Sequence, residues 1–131
     1  MFRSQRVTPT TLAETLRSLP DAVAVFDVGK AWLVVGPSGL FVLTEDGGDL
    51  AADALRAAER ADAVRLKLSD ELVWVPFIDA MCVTNDVTFD PAQPCLIVPH
   101  DLVAHTVTGG PVSVDTETLG KLTLLGYPRV I

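Results

Sequence analysis

One short run does most to limit what this chain can fold into. Val34-Val35-Gly36-Pro37-Ser38-Gly39-Leu40-Phe41-Val42-Leu43 sets two apolar stretches on either side of a Gly-Pro-Ser-Gly breaker. Residues 31–35 and 40–43 are rich in the β-branched and aromatic side chains that suit strands. Pro in second place and Gly in fourth fit a type I turn, so the expected unit is an antiparallel hairpin.

The clearest helix follows it. Leu50, Ala54, Ala57, Ala61, Val64 and Leu68 recur at steps of four and three, while Asp53, Arg56, Glu59, Arg60 and Lys67 mostly lie off that stripe. The small alanines would let this helix sit close on a sheet. Asp49, after Asp46-Gly47-Gly48, is a natural N-cap, and Ser69-Asp70 ends the helix. Ahead of the hairpin, Thr8-Pro9 looks like a helix start, with Leu12, Leu16 and Leu19 on one face and Pro20-Asp21 as the stop. Residues 22–27, with Val23, Val25 and Phe26, suit a buried strand, and Gly29-Lys30 turns the chain. After the long helix, residues 72–78 read as a strand, although Pro76 counts against a fully paired central place. Residues 84–94 read as a loop, residues 95–98 as a short strand and residues 102–107 as a last strand. A closing helix with Leu119, Leu122 and Leu125 runs to Gly126, with Pro128 beyond it. Antiparallel strands followed by a crossover helix into another strand imply an α/β fold, a mixed β-sheet flanked by helices.

At 131 residues the chain suits one domain with one core. Its composition, 49% hydrophobic against 21% charged, argues against disorder. The longest apolar stretches are broken well short of the about 20 residues a membrane span needs. The N-terminus, Met1-Phe2-Arg3-Ser4-Gln5-Arg6, has no apolar segment behind its positive charges, so no signal peptide is expected. The expected location is therefore the cytoplasm, with Cys82 and Cys95 as free thiols. A net charge of −7 disfavours a nucleic-acid partner, because phosphate backbones reward clustered Lys and Arg. Few lysines and abundant Ala, Val, Arg and Asp fit a high-GC bacterial source.

The stretch Leu19-Pro20-Asp21, followed by the Val34-to-Leu43 run, the Ala-rich helix and the apolar strand after it, resembles the nuclease-related domain (NERD) family of the restriction-endonuclease-like superfamily. The resemblance spans about residues 10 to 125. It implies the superfamily core, in the order α-β-β-β-α-β. It also implies metal-dependent phosphodiester hydrolysis. In that chemistry an Asp before the turn and an acid after it hold a divalent ion, and a Lys two residues on helps with the water. Registered on the Gly-Pro-Ser-Gly turn, the first Asp falls at Ala31, the His that often follows it at Trp32, the second acid at Thr44 and the Lys at Asp46. Both metal-holding carboxylates are missing, and the cation has become an anion. Loss of one such group typically costs orders of magnitude in rate. No metal site and no cofactor are expected.

A displaced site has to be weighed against this. Glu45 and Asp46 lie just past the expected acid and Asp27 lies upstream, so a bulge would bring them together; Arg56 or Lys67 on the next helix would then replace the lost Lys. The simpler account of Glu45-Asp46-Gly47-Gly48-Asp49 is a polar turn and helix cap. Cys82, Cys95, His100 and His105 lack the close Cys pairs of structural zinc sites. Trp32 and Trp74 suit the core, or, if they face outward, a partner interface. The expectation is a non-catalytic nuclease-like domain acting as a protein-interaction or scaffold module, its partner another protein or a second copy of itself. The alternatives are a divergent nuclease using Asp27, Glu45 and Asp46, and a non-catalytic nucleic-acid binder.

Overall fold

A computed structural model describes residues 12–17, 19, 23–36, 39–45, 47–72, 78–84, 95–109 and 126–130. Helix α1 (Leu12–Arg17) leads into strands β1 (Ala24–Asp27), β2 (Trp32–Gly36) and β3 (Gly39–Glu45). Helix α2 (Leu50–Ser69) then crosses to β4 (Ile78–Val83), followed by β5 (Leu96–Val98), a 3-10 turn (His100–Leu102) and α3 (Val103–Thr108). The strands form one five-stranded sheet in the order β1-β2-β3-β4-β5. β1, β2 and β3 pair antiparallel, whereas β4 and β5 join in parallel. The fold is α/β, a mixed sheet with helices on both faces.

Alternation along the strands feeds two cores. Leu33, Val35, Leu40, Val42 and Ile78 pack against Ala61, Val64 and Leu68 of α2. Val25, Val34, Phe41, Leu43, Met81 and Val83 pack against Leu12 and Leu16 of α1 and Val103 and Val107 of α3. A strand covered on both faces reads as an unbroken apolar run, and β3 is buried from Gly39 to Thr44. The hairpin is present with Gly36 paired to Gly39, while Pro37 and Ser38, and so the expected turn type, fall outside the described residues. A β-carbon on Gly36 would lie 2.4 Å from the Val107 carbonyl oxygen, so α3 rests directly on the strand backbone there. Asp49 caps α2 as expected, its carboxylate accepting from the Ala52 amide at 3.1 Å.

Two expectations are corrected. Residues 102–107 form no strand. Val103 and Val107 are buried and His105 between them is exposed, which is the four-residue step of a helix rather than the two-residue step of a strand. The strand expected at residues 72–78 is corrected in its bounds: Ile78 does belong to a strand, but β4 runs on to Val83 and Leu72 is not part of it. Leu72 instead closes α2, its amide donating to the Leu68 carbonyl at 2.8 Å, and residues 73–77, with Trp74 and Pro76, fall outside the described residues. Asp79 interrupts the apolar pattern of β4 and hid the strand from a periodicity reading. The closing helix around Leu119 and the helix start at Thr8-Pro9 also lie outside the described residues. One contact was not foreseen: the tail runs along β1, with Asp27 N donating to Pro128 O at 2.9 Å and Val130 N to Val25 O at 2.8 Å.

Candidate functional site

Where β1, β2 and β3 end opposite the Gly36–Gly39 turn, they border a cleft of about 370 Å³. Each wall follows from local sequence. Gly29 and Lys30 join β1 to β2 with φ of +90° and +57°, and Val28 N donates to Ala31 O at 3.1 Å across them. Positive φ at both central residues is what a type I′ hairpin turn requires, and glycine meets it without strain. That tight turn places Asp27, Lys30, Ala31 and Trp32 on one side of the cleft. Thr44 and Glu45, at the end of β3, and Gly47 form the other, and Arg56 of α2 lines it as well.

Ala31 and Thr44, the two positions where the resemblance puts metal-holding acids, carry none. Ala31 is buried, and the Thr44 side chain is fully buried with its hydroxyl donating to the Asp53 carbonyl at 2.7 Å. Of the candidate acids, Asp27 and Glu45 do line the same cleft. Each is anchored at one oxygen. Asp27 Oδ1 accepts from Gly29 N at 2.9 Å, and Glu45 Oε2 accepts from Leu12 N at 2.8 Å. Asp46 falls outside the described residues, as does Trp74. Among the described residues, no three His, Cys, Asp or Glu side chains stand together to hold a metal ion.

Of the two cations considered as substitutes, Arg56 reaches the cleft and Lys67 does not. Lys67 lies at the far end of α2, its ammonium 4.6 Å from the Tyr127 ring centroid. Arg56 is already committed, pairing with Asp53 at 2.7 Å and donating through Nε to the Lys30 carbonyl at 3.1 Å. Asp53 in turn accepts from the Gly47 amide at 2.7 Å. Asp53 and Arg56 thus tie α2 to both loops that frame the cleft.

Trp32 is half-buried. It packs against the α1–α3 core and separates the cleft from a smaller hollow of about 140 Å³ beside Leu16, Arg17 and Val130. Lys30 and Asp53 were not singled out in the sequence. Lys30 sits beside the turn glycine, and Asp53 borders the apolar stripe of α2, where a buried acid implies a dedicated partner.

The cysteines and histidines stand apart from the cleft. His100 is buried with Nδ1 2.8 Å from the Thr15 hydroxyl, joining α1 to the 3-10 turn, while His105 is exposed. Cys82 is buried. Burial, reinforced by neighbouring Cys82, pushes the Cys95 thiol up to about 11, which keeps it protonated and weakly nucleophilic at neutral pH. No helix among the described residues is long and apolar enough to cross a membrane. No protein-family model, curated protein or solved structure matches this chain.

Proposed function

We propose that this chain is a nuclease-like domain that no longer catalyses and that works in the cytoplasm by binding a protein through the cleft of the former active site. The element order α1-β1-β2-β3-α2-β4 supports the restriction-endonuclease-like part of that proposal. One observation carries the non-catalytic part. Where the resemblance puts two metal-holding acids, the chain has a buried alanine and a threonine whose hydroxyl turns inward to α2. A hard cation needs several converging oxygens. What remains is a half-exposed tryptophan beside a walled cleft, and aromatics in such places dominate interface energetics.

The divergent-nuclease alternative has one observation in its favour: Asp27 and Glu45 share the cleft. An assay on single- and double-stranded DNA with magnesium or manganese separates the two. The expected outcome is no cleavage. Cleavage that disappears in Glu45→Ala would establish the nuclease. The binding claim is tested by recovery of a stoichiometric protein partner, or of a homo-oligomer, that Trp32→Ala releases. A salt-dependent gel shift without cleavage would instead favour nucleic-acid binding, against which the net charge of −7 stands.

A further inference from the structure

We infer that the cleft receives a basic side chain, an arginine or a lysine, from a partner protein. This rests on the binding function proposed above and specifies the chemistry of the bound group. Asp27 and Glu45 each spend one carboxylate oxygen on a backbone amide, at 2.9 and 2.8 Å. The second oxygen of each has no hydrogen-bond partner among the described residues, and both residues line the same cavity. The amide bonds hold the carboxylates in place, so a ligand need not order them on arrival. Arg56 does not cancel them, because Asp53 already neutralises it at 2.7 Å.

Two carboxylates therefore face one remaining cation in the lining, Lys30, which is exposed at the rim. The indole of Trp32 adds a surface that attracts guanidinium and ammonium groups and the methylenes behind them. The chain as a whole carries −7 and draws basic partners over longer distances. An anionic group entering the same space would meet both carboxylates. A guanidinium suits a carboxylate best, since its several planar donors make strong charge-assisted hydrogen bonds.

The test is an NMR titration of the full chain at low salt with N-acetyl-arginine methylamide, N-acetyl-glutamate methylamide and magnesium chloride as separate probes. The arginine probe should saturably shift the Trp32 indole and Gly47 amide resonances. Asp27→Asn and Glu45→Gln keep the oxygen that accepts the backbone amide but lose the charge, and each should weaken binding about threefold to tenfold. Lys30→Asn, which tolerates the left-handed backbone, should tighten it about threefold. Asp101→Asn, at the 3-10 turn and away from the cleft lining, should change nothing.

Lys30 gives the sharpest sign, since an anionic ligand would bind more weakly once it is replaced. The inference is overturned if the arginine probe fails to saturate, or if glutamate or magnesium shifts the same resonances at lower concentration. It is equally overturned if Asp101→Asn weakens binding as much as Asp27→Asn. If arginine fails while a Trp32-dependent protein partner is recovered, only this inference falls. Metal-dependent DNA cleavage lost in Glu45→Ala would remove the function beneath it.

Discussion

The two ends of the β2–β3 hairpin share one ladder and obey different rules. At the turn end, Gly36 pairs with Gly39 and the Val107 carbonyl of α3 occupies the space where a side chain would begin. Residue identity there is dictated by close packing. At the cleft end, one step outside the Trp32–Leu43 pair, stand Ala31 and Thr44. There the fold asks only that buried polar atoms be satisfied, and a threonine bonded to the Asp53 carbonyl meets that demand. An end held by van der Waals contact cannot change without moving a helix. An end held by one satisfied hydrogen bond can vary more freely and still fold.

Substitutions that probe the two ends should reflect this difference. Gly36→Ala forces α3 off the hairpin and should cost about 3 kcal/mol in urea unfolding. An unchanged midpoint would mean that α3 is not seated there. Asp53→Ala removes the acceptor of the Gly47 amide and strands Arg56, so it should cost about 2 kcal/mol. It should also broaden the Gly47 and Lys30 resonances as the cleft loosens. Thr44→Val leaves the Asp53 carbonyl without its hydroxyl donor at nearly constant volume and should cost about 1 kcal/mol. A neutral result would show that the hydroxyl bond does not hold the cleft end together.

Asp79 gives the smallest effect, and its sign is set by pH. Burial raises its carboxyl above the usual range, so the folded state favours the protonated form. Stability from this group is fully present below the unfolded carboxylate pKa and declines as pH rises through the folded one. Asp79→Asn should therefore raise the neutral-pH melting temperature slightly, by less than about 0.5 kcal/mol in stability, because the group is only part-buried and solvent screens it. The gain should vanish in acid. A gain of equal size at low pH would point to packing instead of charge.

The strength of each signal decided what could be read from the sequence. The alanine stripe of α2 and the hairpin stood out because period and breaker agreed over many residues. The region after Val98 was ambiguous: Val103 and Val107 satisfy both a strand and a helix pattern until burial of the intervening residue is known. The cleft was only half visible. Asp27, Glu45, Arg56 and Trp32 were candidates on residue type, but convergence depends on the type I′ turn at Gly29-Lys30 and on the Asp53–Arg56 tie. The tail against β1 left no periodic trace, since the pairing there runs through backbone atoms, two hydrogen bonds that together make the Phe26–Arg129 bridge.

A hairpin whose open end carries a buried Ala31 and an inward-bonded Thr44 should not retain a divalent cation there. Manganese tests this directly, because the bound ion broadens nearby resonances. Titrating manganese into the full chain should broaden surface carboxylates weakly and without saturation, leaving the Trp32 indole no more affected than the rest. Saturable broadening centred on Trp32 and Gly47, abolished by Asp27→Asn or Glu45→Gln, would contradict the account.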